Sequence, residues 1–231
     1  LIDELGSLMI RQALDARDAL TAARGRSCGI SVNISPVQVR SDHLFVELDR
    51  LHRERGTAPR LCFEMTEQHM IDDTDATLER LHRLRGFGVE LAVDDFGTGY
   101  SSLAMLNQVP ADILKIDREL VSQIGTPSGQ AVLAAVIGVA QAYEMRTVAE
   151  GVETVDEALA LRQMGVDRLQ GFLFAPVEPI DRLTERLTGA DWPWDVSPEA
   201  LGHVDASSPW PPPNPGSHAD EGVVDELRRP V

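Results

Sequence analysis

Apolar and polar positions along the chain follow two alternating periods, which predicts strands and helices in alternation. Six short runs are apolar at nearly every position and have the length of strands. They cover residues 28–35, 60–65, 88–93, 112–116, 147–149 and 168–174. Patterns with apolar residues every three or four positions predict helices at 41–56, 75–85, 128–144, 155–164 and 179–188, a short helix at 100–107, and a first helix that is already under way at Leu1.

The order of these segments favours a parallel sheet, because strands that are apolar on both faces are covered by crossover helices. Acidic and amide side chains collect where the predicted strands end, at Asn33, Glu64, Asp94, Asp95, Asp117 and Glu150. Ligands that converge at the carboxyl ends of several strands are typical of a closed (β/α) barrel. An open doubly wound sheet is the alternative. It would normally carry a glycine-rich phosphate turn, which the sequence lacks.

The adjacent pair Asp94-Asp95 and the residue Lys115 carry the candidate chemistry. Two neighbouring carboxylates repel each other unless a cation offsets them, and their oxygens suit Mg²⁺ or a similar hard ion. Lys115 is the only lysine among the 21 Lys and Arg residues. Its compact ammonium ends a predicted strand, where an arginine could have supplied charge alone.

Composition narrows the function further. A formal charge of −16 argues against binding of DNA or RNA polymers, although divalent cations could still bridge an acidic protein and a phosphodiester. Cys28 and Cys62 lie in separate strand-like runs and are predicted to be buried free thiols. The apolar run at 131–140 has half the length that a membrane span needs, and no signal peptide is visible, so we expect a cytoplasmic domain without membrane contact.

The sequence divides at about residue 189. Residues 1–188 carry the alternating pattern, whereas 189–231 are rich in Pro, Trp and Ser without any period, which predicts a disordered tail. Because the chain begins at Leu1 inside a helical pattern with no preceding cap, we expect it to be part of a longer protein.

Six short motifs identify a family. They are Ser31-Val32-Asn33-Ile34-Ser35, Glu64-Met65-Thr66-Glu67, Asp94-Asp95-Phe96-Gly97-Thr98-Gly99, Leu114-Lys115-Ile116-Asp117, Ala149-Glu150-Gly151-Val152-Glu153 and Gln170-Gly171. In this order and spacing they closely resemble the EAL-domain family of bacterial cyclic-di-GMP phosphodiesterases. The resemblance covers about residues 1–185.

The resemblance implies a TIM-like (β/α)8 barrel that hydrolyses cyclic-di-GMP to linear pGpG with two Mg²⁺ or Mn²⁺ ions. Asn33 and Glu64 match ligands of one metal, Asp95 matches a ligand of the second, and Asp94 matches a ligand of both. Glu150 matches the carboxylate that holds the metals and the attacking water. Lys115 matches the residue that orients or activates this water, Gln170 a polar contact beside the metals, and Glu67 a carboxylate that steadies the loop after Asp95. Glu153 is either a site residue or a carboxylate at a helix start.

One family feature does not occur in the sequence, namely a strand that carries Glu-x-Leu-x-Arg. The resemblance implies that this strand and one other precede Leu1, so we expect the chain alone to be impaired. It also implies a homodimer and an upstream sensor or cyclase domain, through which the longer protein could be anchored at a membrane. Two alternative functions stay open: a degenerate domain that binds cyclic-di-GMP or a protein partner without catalysis, and a barrel enzyme acting on sugars or aldols.

Overall fold

A computed structural model describes residues 1–25, 27–55, 61–67, 75–97 and 106–188. The strands are β1 (Ile30–Asn33), β2 (Leu61–Thr66), β3 (Glu90–Phe96), β4 (Ile113–Ile116), β5 (Arg146–Ala149) and β6 (Arg168–Leu169). The helices are α1 (Ile2–Arg24), α2 (Pro36–Arg40), α3 (Asp42–Arg55), α4 (Asp75–Arg85), α5 (Arg118–Val121), α6 (Pro127–Ala142), α7 (Val155–Gln163) and α8 (Ile180–Thr188).

The six strands form one parallel sheet in which they follow each other in chain order from β1 to β6. The sheet is curled into a half-barrel with helices, as in a partial TIM-like barrel. A doubly wound sheet would reverse its strand order at a switch point, and these strands do not. The prediction of a barrel is therefore confirmed, and the open-sheet alternative is wrong.

The core lies between the sheet and its helices. Leu91, Val93 and Leu114 are fully buried on the sheet, and Leu48 of α3 and Leu133 of α6 are buried against the same apolar cluster. The strand residues that alternate with these point into the barrel, where Cys62, Ala92 and Ile113 form a second, smaller apolar layer. The polar site residues lie above this layer, toward the carboxyl ends of the strands.

Local sequence sets where several helices begin. Thr154 accepts a hydrogen bond from the backbone N–H of Glu157, whose side chain accepts from the backbone N–H of Thr154, which is a capping box at the start of α7. Ser35 and Gln38 form the same motif at α2. Neither α2 nor α5 is predicted from the apolar pattern, because each spans at most five residues and too few turns for a helical period.

The ends of two strands differ most from the prediction. The strand predicted at 88–93 continues to Phe96 as β3, so Asp94 and Asp95 lie within a strand rather than after it. The strand predicted at 168–174 ends at Leu169 as β6. It ends there because the chain turns back at Gly171, whose carbonyl accepts a hydrogen bond from the N–H of Phe174.

One further prediction is confirmed, and two others concern residues outside the described part of the chain. Cys28 and Cys62 are buried free thiols, as predicted. Within the described part of the chain, no helix is long and apolar enough to cross a membrane. Most of the helix predicted at 100–107, and the division of the chain at residue 189 with its tail, lie outside the described residues.

Candidate metal and phosphodiester site

Lys115 is the centre of the candidate site. Its side chain is buried, and its Nζ lies 2.7 Å from a carboxylate oxygen of Glu64, 2.8 Å from Asp94 and 2.7 Å from Glu150. A lysine ammonium has three N–H donors, so the three carboxylates use its full hydrogen-bonding capacity. Glu64 and Asp94 lie on the adjacent strands β2 and β3, and Glu150 follows β5 directly, so acids from both sides of β4 meet at its one lysine.

The backbone explains why these four side chains meet. Parallel pairing places Glu64 of β2 beside Ala92 of β3, and Lys115 of β4 beside Val148 of β5. Glu64, Asp94 and Lys115 belong to the strand positions that face the barrel interior. Glu150 follows β5 directly, and its N–H donates to the carbonyl of Ile116.

Asp95 lies beside this cluster in an unusual backbone conformation. Its φ is +55°, a left-handed conformation that is uncommon for residues other than glycine, and the register of β3 against β4 shifts between Val93 and Phe96. Its N–H donates to Oδ1 of Asp94. The bulge turns two consecutive carboxylates toward the same side, which a regular strand would point to opposite faces.

The electrostatics of the cluster show more negative charge than Lys115 offsets. Burial raises the pKa of Glu150, and the charges of Asp94 and Glu64 raise it further, against the opposing effect of Lys115. Burial also raises the pKa of Asp95, together with the charges of Asp94 and Asp117.

Lys115 itself stays protonated. Burial alone would lower the pKa of Lys115, but its hydrogen bonds to Asp94, Glu150 and Glu64 outweigh burial and raise the pKa above its usual range. These hydrogen bonds favour the charged form of the lysine, which donates to all three carboxylates in this arrangement.

The donor set fits divalent cations. Asp94, Asp95 and Glu150 each offer an oxygen, and these oxygens lie within 4.8 Å of one another. Carboxylate oxygens are the ligands that Mg²⁺ and Mn²⁺ prefer, and a cation would offset the excess negative charge. Among the described residues, these three, with Glu64 at their side, supply carboxylates that could hold metal.

The remaining predicted site residues lie around this cluster. Asn33 ends β1 beside Glu64 in the strand register and has an exposed side chain. Gln170 is exposed directly after β6, and its N–H donates to the carbonyl of Ala149, one residue before Glu150. Glu67 is buried directly after β2. The loop that Glu67 was predicted to steady lies outside the described residues, whereas Gly97 before it has a positive φ, +104°.

Sequence reasoning did not single out Arg118, which lies at the rim of the site and pairs with Glu153. The spacing offered an indication, because Arg118 and Glu153 each follow a site residue, Lys115 and Glu150, by three positions.

Comparison with known proteins identifies the family to which the chain is similar. The model of the EAL domain family matches residues 1–177. The cyclic di-GMP phosphodiesterase RocR of Pseudomonas aeruginosa is 35% identical over 192 residues, which are 82% of this chain and 49% of RocR. The first curated relatives are longer still, and in one from Azorhizobium caulinodans the match spans 25% of the relative's length.

Solved structures extend the comparison. The PaMucR phosphodiesterase in complex with c-di-GMP matches with a TM-score of 0.70 and 33% identity, over 78% of this chain and 74% of that one. The manganese and c-di-GMP complex of Klebsiella pneumoniae BlrP1 matches with a TM-score of 0.59 and 33% identity, over 71% of this chain and 44% of that one.

Proposed function

The chain belongs to the EAL domain family, and from this membership and the geometry of its acidic site we propose that it provides the active site of a metal-dependent cyclic-di-GMP phosphodiesterase. The reaction would be hydrolysis of one phosphodiester bond, giving linear pGpG. The observation that carries the proposal is the convergence of Glu64, Asp94 and Glu150 on the Lys115 ammonium, with Asp95 alongside. Relatives named as cyclic di-GMP phosphodiesterases and a neighbour solved with c-di-GMP support the choice of substrate.

The proposal includes two divalent cations, Mg²⁺ or Mn²⁺. Asn33 and Glu64 would hold one, Asp95 would hold the other, and Asp94 would contact both, while Glu150 supports the pair. Such ions polarise a phosphate oxygen and lower the pKa of a bound water. The manganese complex of a similar structure supports this assignment.

The protein's own groups would bind and orient the reactants. Once a metal ion takes over one of its three carboxylates, the Lys115 ammonium would have an N–H free for the attacking water, and its charge would offset the negative charge that develops on the phosphate oxygens. Glu150, whose carboxylate lies 2.7 Å from Lys115, would accept a hydrogen bond from the same water. Gln170 would offer an amide to the phosphate beside the cluster, and buried Glu67 would steady the segment that follows Asp95.

The direct test adds cyclic-di-GMP and Mn²⁺ to a protein in which residues 1–231 follow a segment that carries the Glu-x-Leu-x-Arg strand, and it measures pGpG by chromatography. We expect product formation that stops when EDTA removes the metal. Tight binding of cyclic-di-GMP with no product in the presence of Mn²⁺ would instead identify a receptor. The homodimer, the upstream sensor or cyclase domain and the cytoplasmic location stay predictions.

A further inference from the structure

Two ion pairs join the carboxyl ends of β4 and β5, and they have the same spacing. The first is Lys115 with Glu150, which is buried. Three residues further along each segment, Nη2 of Arg118 lies 3.1 Å from Oε1 of Glu153. This second pair lies at the rim, with side chains 66% and 44% exposed.

The arginine also covers the peptide that follows Glu150. Gly151 has a φ of +66°, and a Cβ at this position would lie 2.5 Å from Cγ of Arg118. The methylene stem of Arg118 therefore lies directly on the backbone of Gly151. Its guanidinium then reaches over this residue to Glu153, so that one side chain spans the segment 150–153.

The opposite side of this segment is fixed by backbone contacts. The N–H of Val152 donates to the carbonyl of Gln170, and the carbonyl of Val152 accepts from the N–H of Leu173. The N–H of Glu153 donates to Glu157 at the start of α7. The segment after Glu150 is thus held on the β6 side by main-chain bonds and on the β4 side by Arg118.

We propose that Arg118 is a positioning residue that, through Glu153, holds the segment 150–153 so that the Glu150 carboxylate faces Lys115 and the metal-binding oxygens. Its effect on hydrolysis rests on the proposed function, whereas its effect on metal binding does not. An exposed ion pair contributes little to stability. Small displacements of a metal ligand or of an orienting group, in contrast, are costly for affinity and rate.

The direction of the change in Mn²⁺ affinity distinguishes a positioning role of Arg118 from a purely electrostatic effect of its charge. Removal of the Arg118 charge makes the acidic site more negative, so through-space attraction alone would strengthen Mn²⁺ binding. Loss of positioning would weaken it. Arg118→Gln removes the charge while it keeps much of the stem, so the direction of the change in affinity decides between the two.

The experiment uses four variants: Arg118→Gln, Glu153→Gln, the double variant, and the charge exchange Arg118→Glu with Glu153→Arg. Mn²⁺ affinity is measured by calorimetric titration, and kcat and KM for cyclic-di-GMP are measured in the protein in which residues 1–231 follow the Glu-x-Leu-x-Arg strand. Arg53→Gln is the matched control, because Arg53 forms a similarly exposed ion pair with Asp49 on α3, away from the site.

We expect each single variant to bind Mn²⁺ about 3- to 10-fold more weakly and to lose kcat by a similar factor, with KM within about twofold. The double variant should be no worse than either single one, and the charge exchange should recover part of the loss. Unchanged or tighter Mn²⁺ binding by Arg118→Gln would overturn the proposal. If the wild-type protein binds Mn²⁺ but forms no pGpG, the proposed function fails while the affinity measurements still decide the role of Arg118.

Discussion

The Nζ of Lys115 and the Glu150 carboxylate, 2.7 Å apart, connect the ends of β4 and β5 at the centre of an acidic cluster. The same ammonium contacts Glu64 and Asp94, so one cation faces three acids. The arrangement keeps the lysine charged and leaves negative charge in excess. A cluster with this balance is suited to bind divalent cations and, through them, a phosphodiester that an acidic protein would otherwise repel.

Replacement of Lys115 should separate its effect on the stability of the metal-free protein from its effect on metal binding. Lys115→Met keeps the length of the side chain but leaves three carboxylates without their partner. Without metal, we expect the free energy of unfolding to fall by about 3 kcal/mol, because a partly buried charge cluster loses its counter-charge. Added Mn²⁺ should restore more stability to this variant than to the wild type, as measured by thermal unfolding. An equal shift in both proteins would mean that the metal and Lys115 do not share these carboxylates.

Asp95 can be tested without disturbing its backbone. Asn tolerates the left-handed conformation that Asp95 adopts, so Asp95→Asn should keep the fold. We expect Mn²⁺ affinity, measured by titration, to fall at least about tenfold because one anionic ligand is lost. The metal-free variant should unfold at the same or a higher temperature, since a charge that is repelled by Asp94 and Asp117 is removed. Wild-type affinity in this variant would exclude Asp95 as a ligand.

The turn at Gly171 is predicted to tolerate no side chain. A Cβ there would lie 2.1 Å from the carbonyl oxygen of Val152, which is backbone and cannot move aside. Gly171→Ala should lower the free energy of unfolding by about 1–3 kcal/mol. Gly138 on α6 is the control, because a Cβ there meets nothing within 4 Å. Gly138→Ala should raise stability by about 0.5–1 kcal/mol, through helix propensity. Equal stability of the two variants would contradict the close contact.

Glu47 should make the stability of the folded protein depend on pH in the acidic range. Its hydrogen bonds to Arg50 lower the pKa of this buried carboxylate, although burial opposes them. A carboxylate with a lowered folded-state pKa stabilises the protein above its unfolded-state pKa, and this contribution disappears as the pH falls through the folded-state value. Glu47→Gln should therefore unfold at a lower temperature than the wild type at pH 7, and the difference should shrink toward pH 3. A difference that is constant with pH would contradict this role.

Much of the fold follows from the sequence because its strands are buried on both faces. Runs such as 60–65 and 112–116 are mainly apolar, with Glu64 and Lys115 as their interior charged positions, so their type and order can be predicted. The continuation of β3 through Asp94 and Asp95 could not be, since charged residues normally end a strand and a bulge has no periodic pattern. The early end of β6 depends on the contact of Gly171 with Val152, which is tertiary.

The sequence predicted the residues of the candidate site but not the contacts between them. The motifs indicated which residues carry the chemistry, and the structure brings Glu64, Asp94, Lys115 and Glu150 into contact. The sequence could not indicate that the ammonium bonds to three acids at once, or that this keeps it protonated. It also left Glu153 undecided between a site residue and a helix-start carboxylate. The ion pair of Glu153 with Arg118 depends on the position of β4 beside β5, and the equal spacing from Lys115 and Glu150 was its one indication in the sequence.

The most direct test of the central claim is the rate of pGpG formation from cyclic-di-GMP with Mn²⁺. It is measured on a protein in which residues 1–231 follow a segment that carries the Glu-x-Leu-x-Arg strand, beside its Lys115→Met and Asp94→Asn variants. We predict turnover that requires metal and falls at least about 100-fold in each variant, while the fold is retained. A well-folded protein that binds cyclic-di-GMP and Mn²⁺ but forms no pGpG would contradict it.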